Sequence, residues 1–287
     1  MHPLISTQAL ADRLAQGDSP GRLRVFDTTV HLRPASPGPF VVESGRAGHA
    51  AGHIPGAAFI DLQAELSDPA SPLRFTLPSV AHLEAAFSAA GLSDGDECVL
   101  YSSTSVMWAT RVWWMLRSLG FEAQVLDGGL PKWSAEGRPV ATGAPRHPQG
   151  RFNARPVAGL WADRDEVRQA IGDGAVCTLN ALTASAHAGT SPVNYGRKGH
   201  IRGSVNVPYP ALLADDGTLR PVAELRQAFD AVGALARPRV ICYCGGGIAA
   251  TLDALALHLC GHAGVAVYDG SLSEWAADPS LPMDADR

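Results

Sequence analysis

Residues 240–255, VICYCGGGIAATLDAL, place a cysteine between a strand pattern and a helix pattern. The stretch begins as a short apolar run typical of a buried strand and ends with apolar residues at three- and four-residue spacing. Three glycines separate the two parts, directly after Cys244. A strand followed at once by a helix is the unit from which α/β folds are built. We therefore expect Cys244 at the carboxyl end of a strand, where such folds bind ligands.

The glycines determine what surrounds the sulfur of Cys244. Because glycine has no Cβ, the chain can curl around the sulfur and direct successive N–H groups at it. The following helix adds the positive end of its dipole, which also stabilises an anion. The sequence therefore predicts a reactive thiolate at Cys244. The amides expected to surround it are those of Gly245, Gly246, Gly247, Ile248 and Ala249.

Composition argues against a nucleic-acid-binding protein, a membrane-spanning protein and a disulfide-rich secreted protein. The chain has 287 residues, a net charge of −5, 46% hydrophobic and 18% charged residues, which is typical of a folded globular protein without a nucleic-acid partner. The N-terminus lacks a signal-peptide pattern, and no apolar run reaches the roughly 18–20 residues that span a bilayer. The five cysteines are scattered, which favours reduced thiols. We expect a cytoplasmic protein that does not bind membranes.

The chain contains an internal repeat. GHIPGAAFIDL at residues 52–62 is echoed by GHIRGSVNVPY at 199–209, and LDGGLPKW at 126–133 is echoed by YDGSLSEW at 268–275. Two homologous domains follow from this duplication. A segment rich in Pro, Gly and Arg lies between the copies and is interpreted as an exposed linker. The predicted boundaries are residues 1–140 for the N-terminal domain, 141–157 for the linker and 158–287 for the C-terminal domain.

Strand and helix patterns alternate within each copy. RLRVFD, ECVLY and AQVLDG in the first copy, and AVCTLN, RVICY and VAVYDG in the second, predict buried strands. SVAHLEAAFSAAGL, ELRQAFDAVGAL and IAATLDALALHL predict amphipathic helices. This alternation predicts an α/β fold in which each domain has a mainly parallel sheet flanked by helices.

The paired GHI turns, the paired DG…W segments and the cysteine–glycine loop together resemble the two-domain rhodaneses, a family of sulfurtransferases. The resemblance covers nearly the whole chain. It implies two tandem rhodanese-like domains, of which the C-terminal one is catalytic. Ser102 stands in the first copy at the position of Cys244, so the N-terminal domain is expected to be catalytically inactive.

The resemblance also implies a double displacement at Cys244. Its thiolate takes a sulfur atom from a donor, holds it as a persulfide among the loop amides, and passes it to cyanide or a thiol. The implied partners are a small anionic sulfur donor, with thiosulfate favoured over 3-mercaptopyruvate, and one of these acceptors. The resemblance implies neither a metal nor an organic cofactor.

The loop departs from both donor signatures of the family. Thiosulfate-using members carry basic side chains at the positions of Gly245 and Gly246. Mercaptopyruvate-using members have a serine at the position of Gly246, supported by an Asp and a His at the positions of Gln63 and Phe75. The sequence therefore leaves the donor open.

The arginine with which the family binds the donor's anionic end is also replaced, by Ala186 or His187. Arg197 and Lys198 are the nearby cations that could take its place, with solvated loop charges as the alternative. His31 and Arg33 follow the first strand and are candidates from the N-terminal domain. The predicted substrate-binding residues are therefore His187, Arg197, Lys198, His31 and Arg33.

Three other functions are alternatives to small-molecule sulfur transfer. A cysteine phosphatase or arsenate reductase also holds a thiolate in an amide-lined loop, but it requires an arginine where this chain has Ala250. A non-catalytic binding module would show a broken loop in both copies, whereas only the first copy has lost its cysteine. Delivery of the persulfide to a protein or a biosynthetic intermediate remains an alternative, because the glycine loop is open and uncharged.

Overall fold

The computed structural model describes residues 1–16, 22–35 and 40–285. The first half contains, in order, β1 (Leu4–Ile5), α1 (Thr7–Ala15), β2 (Leu23–Asp27), β3 (Val30–Pro34), β4 (Phe40–Ser44), α2 (Arg46–Ala51), β5 (Ala58–Phe59), α3 (Leu62–Glu65), α4 (Val80–Ala90), β6 (Glu97–Tyr101), α5 (Met107–Ser118), β7 (Ala123–Leu126) and α6 (Gly129–Ala135). The second half contains β8 (Trp161–Ala162), α7 (Arg164–Ala170), β9 (Val176–Asn180), α8 (Ala184–His187), β10 (His200–Ile201), β11 (Val205–Asn206), a 3₁₀ helix (Tyr209–Leu212), α9 (Val222–Ala231), β12 (Arg239–Tyr243), α10 (Ala249–Leu259), β13 (Val265–Tyr268), α11 (Ser271–Trp275) and β14 (Met283–Asp284).

Each half folds around a five-stranded parallel sheet. The strand order is β1-β7-β6-β2-β5 in the first sheet and β8-β13-β12-β9-β11 in the second. Strands that correspond in the sequence repeat occupy corresponding places, so the repeat is one of structure. Two short antiparallel pairs, β3–β4 and β10–β14, lie outside the sheets. The predicted α/β class and its two parallel sheets are confirmed.

The predicted strands and helices also form where the patterns placed them. The central strands β6 and β12 are buried along nearly their whole length, as continuous apolar runs require in a sheet covered on both faces. Helix α4 begins where Ser79 accepts a hydrogen bond from the N–H of His82, and it ends at Gly91 with a φ of 98°. None of the described helices has the length and apolar composition needed to cross a bilayer.

The segment that joins the two sheets follows the surface of the first domain. Most of residues 136–160 are exposed, as predicted for a linker, but Phe152 is buried against Phe87 and Phe121. The backbone is tied down on both sides of Phe152, since Gly150 donates to Ser88 and Arg155 donates to Leu119. The linker is therefore anchored to the first domain. The domain boundaries stay a prediction.

The two domains meet through elements that correspond in the repeat. Helices α5 and α10 pack against each other, and the hydroxyls of Thr110 and Thr251 lie 2.8 Å apart between them. The N–H of Leu77 donates to Asp269 of the second domain, and in the reciprocal contact the N–H of Leu219 donates to Asp127 of the first, each at 2.8 Å. This interface brings the end of β12 against the first domain.

Candidate active site

Cys244 lies directly after β12, and residues 245–248 separate it from the start of α10 at Ala249; the sequence predicted this place between strand and helix. Its side chain is 2% exposed, and it lines a cavity between the two domains. Ser102 occupies the matching place after β6 in the first domain, where its hydroxyl accepts a hydrogen bond from the N–H of Thr104. The two copies therefore present different groups at the same point of the fold.

The side chain of Ser271 hydrogen-bonds to the backbone of the reactive loop, residues 244–248, which joins β12 to α10. Its Oγ accepts hydrogen bonds from the N–H groups of Cys244 and Gly247, each at 3.1 Å, and donates to the carbonyl of Tyr268 at 2.8 Å. The backbone of Ser271 has a φ of 48°, which is uncommon for a residue with a side chain. Phe75, which also lines the cavity, has a φ of 62°. Backbone strain of this kind often marks functional sites.

Two carbonyls of the loop accept hydrogen bonds from α11, whereas several of its N–H groups have no acceptor among the described residues. The N–H of Leu272 donates to the carbonyl of Cys244 at 3.1 Å, and both the N–H and the hydroxyl of Ser273 donate to that of Gly245, at 2.8 and 2.7 Å. By contrast, the N–H groups of Gly245, Gly246 and Ile248 donate to no acceptor within the described residues. Free amides beside a sulfur can stabilise negative charge on it.

Arg111 holds the loop from the other domain. Its guanidinium is fully buried and donates to the carbonyl of Gly247 at 3.1 Å, to that of Phe75 at 2.7 Å and to Oδ1 of Asp269 at 2.6 Å. It also lies 4.8 Å from the centre of the Trp161 ring. Sequence reasoning missed Arg111. The available signal was a charged residue in the middle of the apolar run of α5, because a buried charge requires partners.

The three glycines are required to different degrees. A Cβ at residue 245 would overlap the ring of Tyr195, which lies across this part of the loop. Gly247 has a φ of 73°, and a Cβ there would lie 2.7 Å from the carbonyl oxygen of Asp269. A Cβ at Gly246 would meet its nearest neighbour, Ser273 Oγ, only at 3.8 Å. The middle glycine thus leaves open space in the cavity, whereas the outer two permit close packing.

The cavity beside Cys244 has a volume of about 530 Å³. Both domains contribute to its walls, and most of the wall residues are apolar, including Leu32, Phe40, Val42, Trp108, Leu182 and Val193. Arg74 is the only charged residue among the described residues that line it. The guanidinium of Arg74 is exposed and donates to the carbonyl of Phe40. Sequence reasoning did not identify Arg74.

Two tyrosines stand close to Cys244. Burial, together with the negative charge of a Cys244 thiolate, raises the pKa of Tyr195 and of Tyr209, so both phenols stay neutral and able to donate hydrogen bonds. Burial also raises the pKa of Cys177 to about 11 and that of Cys242 well above its usual value. These two cysteines, together with Cys98 and Cys260, are not among the cavity-lining residues.

The predicted cations from the C-terminal domain do not line this cavity. The guanidinium of Arg197 donates to four main-chain carbonyls at 2.7–3.1 Å, those of Trp275, Ala276, Asp278 and Leu281. It therefore fastens the segment after α11. Lys198 is exposed, and it lies with Arg197 at a separate, much smaller cavity. The physical reason for the difference is that main-chain carbonyls accept hydrogen bonds from four of the five N–H donors of Arg197.

The other predicted substrate-binding residues also lie outside the cavity lining. The ring of His187 stacks on that of His200, with 3.7 Å between centroids, while its neighbour Ala186 lines the cavity. Arg33 is exposed and pairs with Glu43 at 2.8 Å. His31 and Arg33 flank Leu32, which does line the cavity, and successive strand residues point to opposite faces. His31 and Arg33 therefore point away from the face of β3 on which Leu32 lies, and their role in substrate binding stays a prediction.

Comparisons with known proteins agree with this geometry. A model of the rhodanese-like domain matches residues 8–136 and 164–278. Thiosulfate sulfurtransferase from Rattus norvegicus is 35% identical over 279 residues, which cover 95% of this chain and 91% of the relative. A probable 3-mercaptopyruvate sulfurtransferase from Pseudomonas aeruginosa is 33% identical over 287 residues, covering 98% of this chain and 97% of the relative.

A solved structure shows the same arrangement of two domains. The crystal structure of SseA, a 3-mercaptopyruvate sulfotransferase from Escherichia coli, superposes with a TM-score of 0.79 at 26% identity, covering 94% of this chain and 99% of that one. Family match, sequence relatives and structural likeness all extend over both halves of the chain. The chain therefore belongs to the rhodanese family, as a sulfurtransferase with two rhodanese-like domains.

Proposed function

We propose that this sulfurtransferase carries the transferred sulfur as a persulfide on Cys244. The observation that supports this most directly is the position of the sulfur. Of the five cysteines, Cys244 alone lines the cavity that the described residues form, and the free amides of Gly245, Gly246 and Ile248 follow it. Such amides stabilise charge that develops on a neighbouring atom.

The reaction with thiosulfate then has two displacements. The Cys244 thiolate attacks the outer sulfur of thiosulfate, the sulfur–sulfur bond of the donor breaks, and sulfite leaves with its electron pair. Cyanide next attacks the outer sulfur of the persulfide, thiocyanate leaves, and the Cys244 thiolate is restored. The loop amides serve both steps, because the persulfide and the thiolate are both anions.

Thiosulfate remains the donor we propose first, with 3-mercaptopyruvate as the second candidate. The likeness to thiosulfate sulfurtransferase from Rattus norvegicus supports the first, and the likeness to the Pseudomonas aeruginosa protein supports the second. Arg74 at the cavity wall is the cation suited to face the donor anion. The first domain, with Ser102 in place of a nucleophile, would supply walls and Arg111 instead of chemistry. Free thiols at all five cysteines support a reducing, cytoplasmic location.

Intact-protein mass spectrometry tests this proposal. Wild type should gain about 32 Da, the mass of one sulfur atom, after brief incubation with thiosulfate or with 3-mercaptopyruvate, and cyanide should remove the gain. Cys244→Ser should show no gain, whereas Cys260→Ser, a control at the far end of α10, should behave as wild type. A gain that persists in Cys244→Ser, or none in wild type with either donor, would contradict the proposal.

A further inference from the structure

A cavity of the first domain lies apart from the interdomain cavity at Cys244. It is bordered by helices α2 and α4 and by residues 144–147 of the linker, and its volume is about 620 Å³. We call it the α2–α4 cavity. Its volume lies within the range of sites that bind small organic molecules. No described residue lines both cavities, so the proposed sulfur transfer does not account for this one.

One buried polar atom of the lining has no hydrogen-bond partner. His49 lines the cavity and is 2% exposed, and its Nδ1 lies 3.1 Å from Oδ2 of Asp27. Because Nδ1 donates its hydrogen to this carboxylate, Nε2 of the neutral ring is an acceptor. Nε2 is buried and has no donor among the described residues. An unpaired buried acceptor costs free energy, so a ligand that donates to it is favoured.

The ring of His49 is fixed in position by its surroundings. It stacks on the ring of His53 with 4.3 Å between centroids, and Nδ1 of His53 lies 2.8 Å from the main-chain carbonyl oxygen of His49. Neither Asp27 nor His53 lines the cavity. The two nitrogens of an imidazole point in widely different directions, so Nε2 lies on the edge of the ring away from Asp27. The acceptor is therefore held in place before a ligand binds.

The charged residues of the lining leave one positive charge in excess. They are Arg46, Arg146 and Glu65. Arg46 pairs with Glu65 at 2.7 Å, whereas Arg146 is exposed and has no ion-pair partner within the described ranges. A guanidinium can bind a carboxylate through two parallel hydrogen bonds. The cavity is therefore suited to a ligand with one negative charge.

The wall formed by α4 matches a flat apolar group. Helix α4 contributes four alanines to the lining, Ala85, Ala86, Ala89 and Ala90. Residues four apart lie on the same face of a helix, so these alanines form one surface without long side chains. A planar apolar group that packs against this surface removes apolar area from water, which is favourable.

We infer that the α2–α4 cavity binds an aromatic monoanion that carries an N–H or O–H donor. The anionic group pairs with Arg146, the donor reaches Nε2 of His49, and the ring packs against the alanines of α4. Unpaired charge, unpaired acceptor and apolar wall thus each bind one part of the same molecule. This ligand needs no transferable sulfur, so the site adds a binding function to the sulfurtransferase.

Indole-3-acetate is a probe that combines a planar ring system, one N–H donor and one carboxylate. Two analogues of the same shape each lack one of these features. Benzofuran-3-acetate has an ether oxygen in place of the N–H, so it offers His49 a lone pair instead of a hydrogen. Indole-3-acetamide has a neutral amide in place of the carboxylate. Isothermal titration calorimetry of the full chain gives the Kd of each compound.

Wild type should bind indole-3-acetate with a Kd of about 1 mM or tighter, as expected for a ligand of this size. Benzofuran-3-acetate should bind at least about tenfold more weakly, because two acceptors would then face each other at Nε2 of His49. Indole-3-acetamide should bind several-fold more weakly, because the charge of Arg146 is no longer neutralised.

Three variants locate the bound probe. Arg146→Gln should raise the Kd of indole-3-acetate several-fold. Arg151→Gln is the matched control and should leave this Kd unchanged, because Arg151 is an exposed arginine of the same linker outside the lining. His49→Phe keeps an aromatic ring beside His53 and should remove the preference for the indole over the benzofuran. If His49→Phe does not fold, the two arginine variants and the two analogues still decide the question.

Several results would overturn the inference. They are no binding of indole-3-acetate to wild type, equal Kd values for the three compounds, and equal effects of Arg146→Gln and Arg151→Gln. A Kd that Arg74→Gln raises and Arg146→Gln leaves unchanged would overturn it as well, because the compound would then lie in the interdomain cavity. Sulfur transfer from thiosulfate to cyanide should be unchanged in Arg146→Gln and Arg151→Gln, which shows that folded enzyme was titrated.

Discussion

Adding one methyl group at adjacent glycines tests whether backbone geometry holds the reactive loop in place. Gly247→Ala puts a Cβ on a backbone with a φ of 73° and brings it to 2.7 Å from the carbonyl oxygen of Asp269. Gly246→Ala makes the same chemical change where the backbone is outside the left-handed region and the nearest atom is 3.8 Å away. The two variants therefore differ only in local geometry.

The expected magnitudes follow from these contacts. A left-handed backbone costs a residue with a Cβ about 1–2 kcal/mol, and overpacking adds about 1–3 kcal/mol. Gly247→Ala should therefore lower the free energy of unfolding by about 2–5 kcal/mol, while Gly246→Ala should change it by less than about 1 kcal/mol. The Gly247 variant should also form the persulfide at least about tenfold more slowly, because both hydrogen bonds of that residue, to Ser271 and from Arg111, would be displaced.

Urea denaturation followed by circular dichroism gives the free energies, and rapid mixing with thiosulfate followed by acid quench and mass spectrometry gives the rate. Equal losses of stability in the two variants would contradict this expectation. A larger loss in Gly246→Ala than in Gly247→Ala would contradict it as well, because a Cβ at Gly246 meets open space.

Three further perturbations test other parts of the site. Burial raises the pKa of Asp253 well above its usual value, so the folded protein keeps a proton that the unfolded chain loses as pH rises above about 4. The free energy of unfolding of wild type therefore falls with rising pH until the Asp253 carboxyl ionises in the folded protein. Because Asn does not titrate, the stability of Asp253→Asn relative to wild type should increase between pH 5 and 8, as measured by urea denaturation. A difference that stays constant with pH would contradict this. Arg74→Gln should raise the KM for thiosulfate about tenfold with a smaller change in kcat, as steady-state thiocyanate assays would show, whereas an unchanged KM would place the anion elsewhere. Arg111→Met should lower the free energy of unfolding by about 3–5 kcal/mol, because it leaves Asp269 without its buried cation; a loss below about 1 kcal/mol would show that the ion pair is dispensable.

Local sequence patterns predicted the part of the site that is contiguous in the chain. The strand β12, the glycine loop and helix α10 follow one another in sequence, so periodicity and glycine placement located Cys244 correctly. The repeat likewise predicted two sheets of the same kind, because each copy carries its own strand and helix patterns.

Groups that reach the site across the fold could not be located in this way. Arg111 bonds to the loop from another domain, and its sequence neighbours are buried residues of a packed helix. Arg197 stands close to the GHI turn along the chain, but the direction of its side chain depends on carbonyls about 80 residues later, from Trp275 to Leu281. His31 is next to Leu32, which lines the cavity, and neighbouring strand residues point to opposite faces. The sequence alone did not show which of the two faces meets the cavity.

The contact between Arg111 and the loop gives the first domain a structural role although Ser102 stands where the second domain has Cys244. A guanidinium from the first copy hydrogen-bonds to the glycine loop, Phe75 and Asp269, so both domains contribute to the geometry of the loop. If the chain were cut in the linker, the two halves would have to reassociate before sulfur transfer could occur. Under the mechanism proposed above, catalysis therefore depends on both domains, and the copy without a cysteine contributes through Arg111.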